Sequence, residues 1–112
     1  MFALSDLSNF TGSGNIYRYM GGAVFTDGIK FLMTNGAHWL ASDAMIACKM
    51  VPKLRGQEFI SIKAKVKEGK VTVKYDDGNG KVLFTQKYDG TDLPGDLNLY
   101  FENNTLMLTS ER

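Results

Sequence analysis

The chain has 112 residues, a length suited to one domain with a single core. Hydrophobic residues make up 44% and charged residues 22%, which argues against disorder and against membrane insertion. Thirteen Lys and Arg stand against 12 Asp and Glu, so no whole-protein field draws in nucleic acid or an acidic membrane, and any such attraction must be local. The lone cysteine, Cys48, excludes an intramolecular disulfide and a cysteine-based zinc site.

The opening MFALSDLSNF lacks a charged leader and cleavage site, and no run approaches the ~20 apolar residues that span a bilayer. A cytoplasmic location without membrane contact is the default expectation. Phe10 to Gly22 is punctuated by Gly12, Gly14, Gly21 and Gly22, with a short strand expected at Asn15 to Met20. Thr11-Gly12-Ser13-Gly14 resembles a phosphate-cradling loop only superficially. It has neither the three spaced glycines of a dinucleotide fingerprint nor the Lys of a P-loop. Ala23 to Phe25 is a strand end or a helix entry.

Thr26-Asp27 supplies an N-cap and a first-turn carboxylate, predicting a helix from Asp27 to about Thr34 that Asn35-Gly36 stops. A second helix is predicted from about Ala37 to Met50, with Pro52 just beyond its end. Neither is long enough to be stable alone, so both should pack on one face of a sheet.

From Glu58 the period changes to two. Ile60, Ile62, Ala64 and Val66 point one way; Ser61, Lys63, Lys65 and Lys67 point the other. A two-residue turn at Glu68-Gly69 sets Val66 opposite Val71, Ala64 opposite Val73 and Ile62 opposite Tyr75. The Asp-Asp-Gly-Asn-Gly string then signals a second hairpin, in which Val82 and Phe84 should join the apolar face. Leu97, Leu99 and Phe101 mark a fourth strand, Asn103-Asn104 a turn, and Leu106 with Leu108 a fifth. The expected fold is α+β: an antiparallel meander of about five strands with two helices on one face.

Alternation places Lys63, Lys65, Lys67, Lys70, Lys74 and Lys87 on the outer face of three adjacent strands, with Lys67 opposite Lys70 and Lys63 opposite Lys74. Like charges directly opposite cost a little stability. The face suits phosphates or an acidic protein surface; the plainer alternative is a solvated face that keeps the sheet soluble. Aromatic residues are not interleaved among these lysines, which weakens the case for single-stranded nucleic acid.

Acidic residues gather later, at Asp76, Asp77, Asp89, Asp92, Asp96 and Glu102. A calcium EF-hand loop needs Glu at its twelfth position, where counting from Asp76 or Asp77 gives Lys87 or Tyr88. Turn formation is the better reading. His38 and Ser42 fit one helix face but Asp43 is rotated away, and Cys48 lies ~15 Å along the helix from His38. No catalytic constellation, metal site or cofactor is expected, and His38 reads as a buried or partly buried helix residue beside Trp39. Tyr17, Arg18, Tyr19 and Met20 form an aromatic and basic group of the kind enriched in protein interfaces, or a cap on the core.

The succession FTGSGNIYRY (Phe10 to Tyr19), FTDGIKFL (Phe25 to Leu32), AHWLASDAMIA (Ala37 to Ala47), YDDGNGKVLFTQ (Tyr75 to Gln86) and LNLYFENNTLMLTSE (Leu97 to Glu111) covers nearly the whole chain in order. It resembles a small uncharacterised domain family of bacteria, phages and plasmids. The resemblance transfers no activity or catalytic residue, but it implies a setting in which small proteins bind and block a host component, as anti-CRISPR proteins do. The expected function is therefore a non-enzymatic protein-binding inhibitor of a bacterial defence complex. Asp76, Asp77, Asp89 and Asp92 would form its acidic contact, and Tyr17, Arg18, Tyr19 and Trp39 its anchor. The alternative is a nucleic-acid-binding module using Lys63, Lys65, Lys67, Lys74 and Lys87. The oligomeric state stays open.

Overall fold

The computed structural model describes residues 2–11, 14–91 and 93–112. Its strands are β1 (Ile16–Arg18), β2 (Val24–Thr26), β3 (Phe59–Lys67), β4 (Lys70–Asp76), β5 (Val82–Tyr88), β6 (Leu97–Glu102) and β7 (Thr105–Leu108). Two helices, α1 (Asp27–Thr34) and α2 (His38–Met50), lie between β2 and β3. Thr26 caps α1 by accepting from the Ile29 N–H at 3.4 Å, as the Thr-Asp pair implies.

The strands form one seven-stranded sheet in the order β1-β2-β7-β6-β3-β4-β5, mixed because β2 runs parallel to β7. This corrects the five-stranded antiparallel meander. Strand β6 does not follow β5 in space; it pairs with the side of β3 away from β4, leaving β5 at the edge. Ile60 and Ile62 of β3 have no solvent exposure, and a strand so deep in the sheet takes ladder partners on both sides. Strand β1 falls within the short strand expected at Asn15 to Met20, and β2 overlaps the Ala23 to Phe25 run, but at three residues each they show no alternation that would have joined them to the sheet.

The β3–β4 register is as the turn requires: Val66 opposes Val71, Ala64 opposes Val73 and Ile62 opposes Tyr75. Glu68 and Gly69 both have positive φ, 53° and 76°, the geometry of a tight primed hairpin turn. The second hairpin departs from expectation. Phe84 faces Tyr75, but a bulge sets Val82 opposite Asp76, so the extra residue reverses the alternation. Val82 therefore lies on the outer face, 48% exposed, instead of joining the core.

The core fills the space between the inner sheet face and the helices. Ile60, Ile62, Val73, Leu99 and Leu106 meet Ile29, Leu32, Leu40, Ala44 and Met45, all of them buried. Among the described residues, no helix is long and apolar enough to cross a membrane.

Candidate functional site

The outer sheet face carries the charge. Lys67 opposes Lys70, Lys63 opposes Lys74, and Thr72 lies between Lys65 and Lys87. All six lysines are exposed. Lys63, Lys65, Lys67 and Lys74, with Thr72, Asp76, Gly80 and Val82, line a shallow groove of about 350 Å³. Its carboxylate belongs to Asp76, which is 3% exposed, accepts from the Gly78 N–H at 2.8 Å and lies 3.6 Å from the Lys63 ammonium. Two ammonium groups ~5 Å apart in water repel by ~1 kcal/mol before screening, so each opposed pair costs little. The face is affordable in the free protein, and an anion laid between the ammonium groups would relieve that repulsion.

On the other side of β3 the face becomes aromatic. Tyr100 of β6 opposes Ser61, and Glu102 opposes Phe59. The Phe59 and Tyr100 rings lie 5.0 Å apart at 51°, and the Arg112 guanidinium sits 4.6 Å from the first centroid and 5.6 Å from the second. Arg112 also grips both Glu102 oxygens, through Nε at 3.0 Å and Nη2 at 3.3 Å. These bonds hold the Glu102 carboxyl below its ordinary pKa. The lysines themselves are without interleaved aromatic residues, as expected; the aromatic pair lies beside them, because β6 next to β3 brings Tyr100 to the same face. Alternation in Leu97-Asn98-Leu99-Tyr100-Phe101 already pointed Tyr100 outward, but not next to which strand.

The predicted acidic residues are not gathered into one rim. Asp77 accepts from the N–H groups of Asn79 at 2.8 Å and Lys81 at 3.2 Å, a turn role. Asp89 is exposed and lies beyond the opposite end of β5, ~20 Å away along the strand. Asp96 accepts from the Val66 N–H at 2.8 Å. Asp92, Gly12 and Ser13, which entered the acidic-contact and glycine-loop readings, lie outside the described residues. Among the described residues no three of His, Cys, Asp and Glu are grouped to hold a metal ion.

Tyr17 and Tyr19 are half-buried, both against the Phe25 ring, while Arg18 between them is exposed. The Tyr17 hydroxyl donates to Asp27 at 2.8 Å, which lowers the Asp27 pKa, and Lys30 sits 4.5 Å over the Tyr17 ring. The Tyr19 hydroxyl pairs with Ser42 Oγ at 2.5 Å. His38 is exposed, correcting the expectation of burial, because the buried face of α2 is set by Leu40, Ala41, Ala44, Met45, Ala47 and Cys48. Asp43 accepts from the Tyr88 hydroxyl at 2.8 Å, and Trp39 packs edge-on against the Tyr88 ring, centroids 4.9 Å apart. Burial pushes the Cys48 thiol up to about 12, the opposite of what a nucleophile needs. Ser42, Asp43 and Cys48 thus each serve packing or a tyrosine contact.

No curated protein and no solved structure matches the chain. One family model does match, and it spans residues 1–112. The chain belongs to DUF6876, a family of unknown function.

Proposed function

We propose that the protein is a binding module and not an enzyme, and that the lysine face of β3, β4 and β5 binds the phosphate backbone of nucleic acid. The observation that carries this is the groove in which Lys63, Lys65, Lys67 and Lys74 converge around a single carboxylate, itself buried and held by a backbone N–H. Phosphate binding on such a surface is driven by release of counterions, so its signature is salt dependence.

The test is fluorescence anisotropy of labelled oligonucleotides from about 50 to about 200 mM salt. Lys65→Gln, Lys67→Gln and Lys74→Gln should each flatten the slope of log K against log salt by about 0.7 to 0.9, and Lys63→Gln, whose ammonium lies 3.6 Å from the Asp76 carboxylate, by less. Absent binding at low salt, or binding indifferent to all four substitutions, overturns the reading.

A protein partner is a second reading with its own observation. Ile46 and Met50, one turn apart on α2, are 43% and 69% exposed, an apolar strip open to solvent on the other side of the molecule. On this reading the chain is a protein-binding inhibitor. Its partner should then be captured stoichiometrically from host lysate by the wild type and lost with Ile46→Lys and Met50→Lys together.

A further inference from the structure

We infer that the nucleic acid bound by this face is single-stranded, its phosphates running along the lysine groove and its bases stacking at the Phe59–Tyr100–Arg112 cluster. The inference rests on the nucleic-acid reading proposed above and specifies its ligand.

The two halves of the face differ in chemistry. In the lysine half, Lys63, Lys65 and Lys67 follow at two-residue steps along β3, ~7 Å apart, and Lys74 stands opposite Lys63. In the aromatic half, the Arg112 charge is already matched by Glu102, so that region offers phosphate little. It offers a stacking shelf instead: two half-buried rings with the Arg112 guanidinium plane lying over them. The halves are continuous, because Ser61 has Asp76 on one side and Tyr100 on the other, one row beyond the Lys74–Lys63–Asn98 row.

A duplex has no use for the second half. Its bases are stacked on one another and present only their edges, so an outward-facing ring gains nothing from them. Unpaired bases can stack on aromatic rings and on guanidinium planes, whatever their sequence. A surface that offers cations in one half and stacking in the other fits an extended single strand. The groove and shelf together run along β3 from Lys67 to Phe59, ~27 Å of strand.

The experiment is anisotropy with labelled oligodeoxythymidylate, oligouridylate and a duplex of equal length, using the intact chain. Tyr100→Leu, which keeps apolar bulk but removes the ring, should weaken single-strand binding about tenfold without altering its salt slope, and Tyr100→Phe should restore it. Thermal melts of both variants confirm that the fold is kept. Binding to either single strand that is weakened in this way, and tighter than duplex binding, bears the inference out. If Tyr100→Leu binds single strands as the wild type does while the lysine variants lose affinity, the stacking inference fails and the phosphate reading survives. Preference for duplex has the same consequence. Binding to none of the three probes removes both.

Discussion

Glu111 is the residue whose removal should cost the fold most for the least change in buried area. It lies in the helical turn Thr109–Glu111 that follows β7, and its carboxylate reaches back to the first turn of α1. One oxygen accepts from the Thr26 hydroxyl at 2.6 Å and the Leu108 N–H at 3.0 Å, and the other from the Gly28 N–H at 3.1 Å. A single anion thus ties together the last residue of β2, the end of β7 and the positive end of a helix dipole. Hydrogen bonds to a charged group contribute about 1.5–3 kcal/mol each, less than additively when they share one carboxylate. The dipole adds about 0.3–1 kcal/mol. Glu111→Ala should therefore cost about 2–4 kcal/mol, a large part of the stability of a domain this size, and Tm should fall by about 10 °C or more. Urea denaturation followed by circular dichroism reads the loss, with Glu111→Gln intermediate because the amide keeps one acceptor. Gly28→Ala supplies an independent check. A Cβ there would meet the Glu111 carboxylate and the Leu108 side chain, so the substitution that favours a free helix by ~1 kcal/mol should destabilise this one. It should be better tolerated in the Glu111→Ala background. A loss below about 0.5 kcal/mol for Glu111→Ala, set against the charged-bond scale, would refute the clamp.

Two further outcomes follow from the backbone and the core. Glu68 holds a left-handed conformation at φ 53° that Asn adopts more readily, so Glu68→Asn should raise stability by about 0.5–1 kcal/mol, and a loss in urea denaturation would count against the turn assignment. The Cys48 thiol is pushed up to about 12 from an ordinary 9.0, so the folded state binds more protons than the unfolded above pH 9. Its contribution to stability is full below that pH and is lost as pH rises towards about 12, and Cys48→Ala should make this alkaline limb shallower. Equal limbs in wild type and variant would show that the thiol does not contribute.

What the sequence disclosed is what local physics decides. The bounds of α1 and α2 follow from a cap, a glycine stop and a proline, and the β3–β4 register follows from a two-residue turn with strict alternation on either side. What it concealed depends on pairings far apart in the chain or on single irregular residues. Strands β2 and β7 meet across some eighty residues, and β6 pairs with β3 instead of with β5, the strand before it in the chain. Val82 left the core through one extra residue in β5. The site divides in the same way. Its lysines were legible because alternation along three consecutive strands is a local property. Its aromatic half was not, because Phe59 and Tyr100 become neighbours only when two strands distant in sequence pair.

The near-neutral composition also has a structural explanation. The chain has almost as many acids as bases, yet its carboxylates are largely committed within the fold. Asp6 accepts from the Ala3 N–H, Asp77 from its own turn, Asp96 from Val66 and Glu111 from the start of α1, while Asp27 and Asp43 each hold a tyrosine hydroxyl. A carboxylate fixed in this way cannot swing across to neutralise an ammonium group on the outer sheet. Lys65, Lys67, Lys70, Lys74 and Lys87 therefore face solvent with small ions as their counterions, although the total charge is only +1. Those small ions are what a polyanion displaces, and their release is the source of its binding free energy. The charge that matters for binding is thus the charge left free after folding, and on this face it is strongly positive.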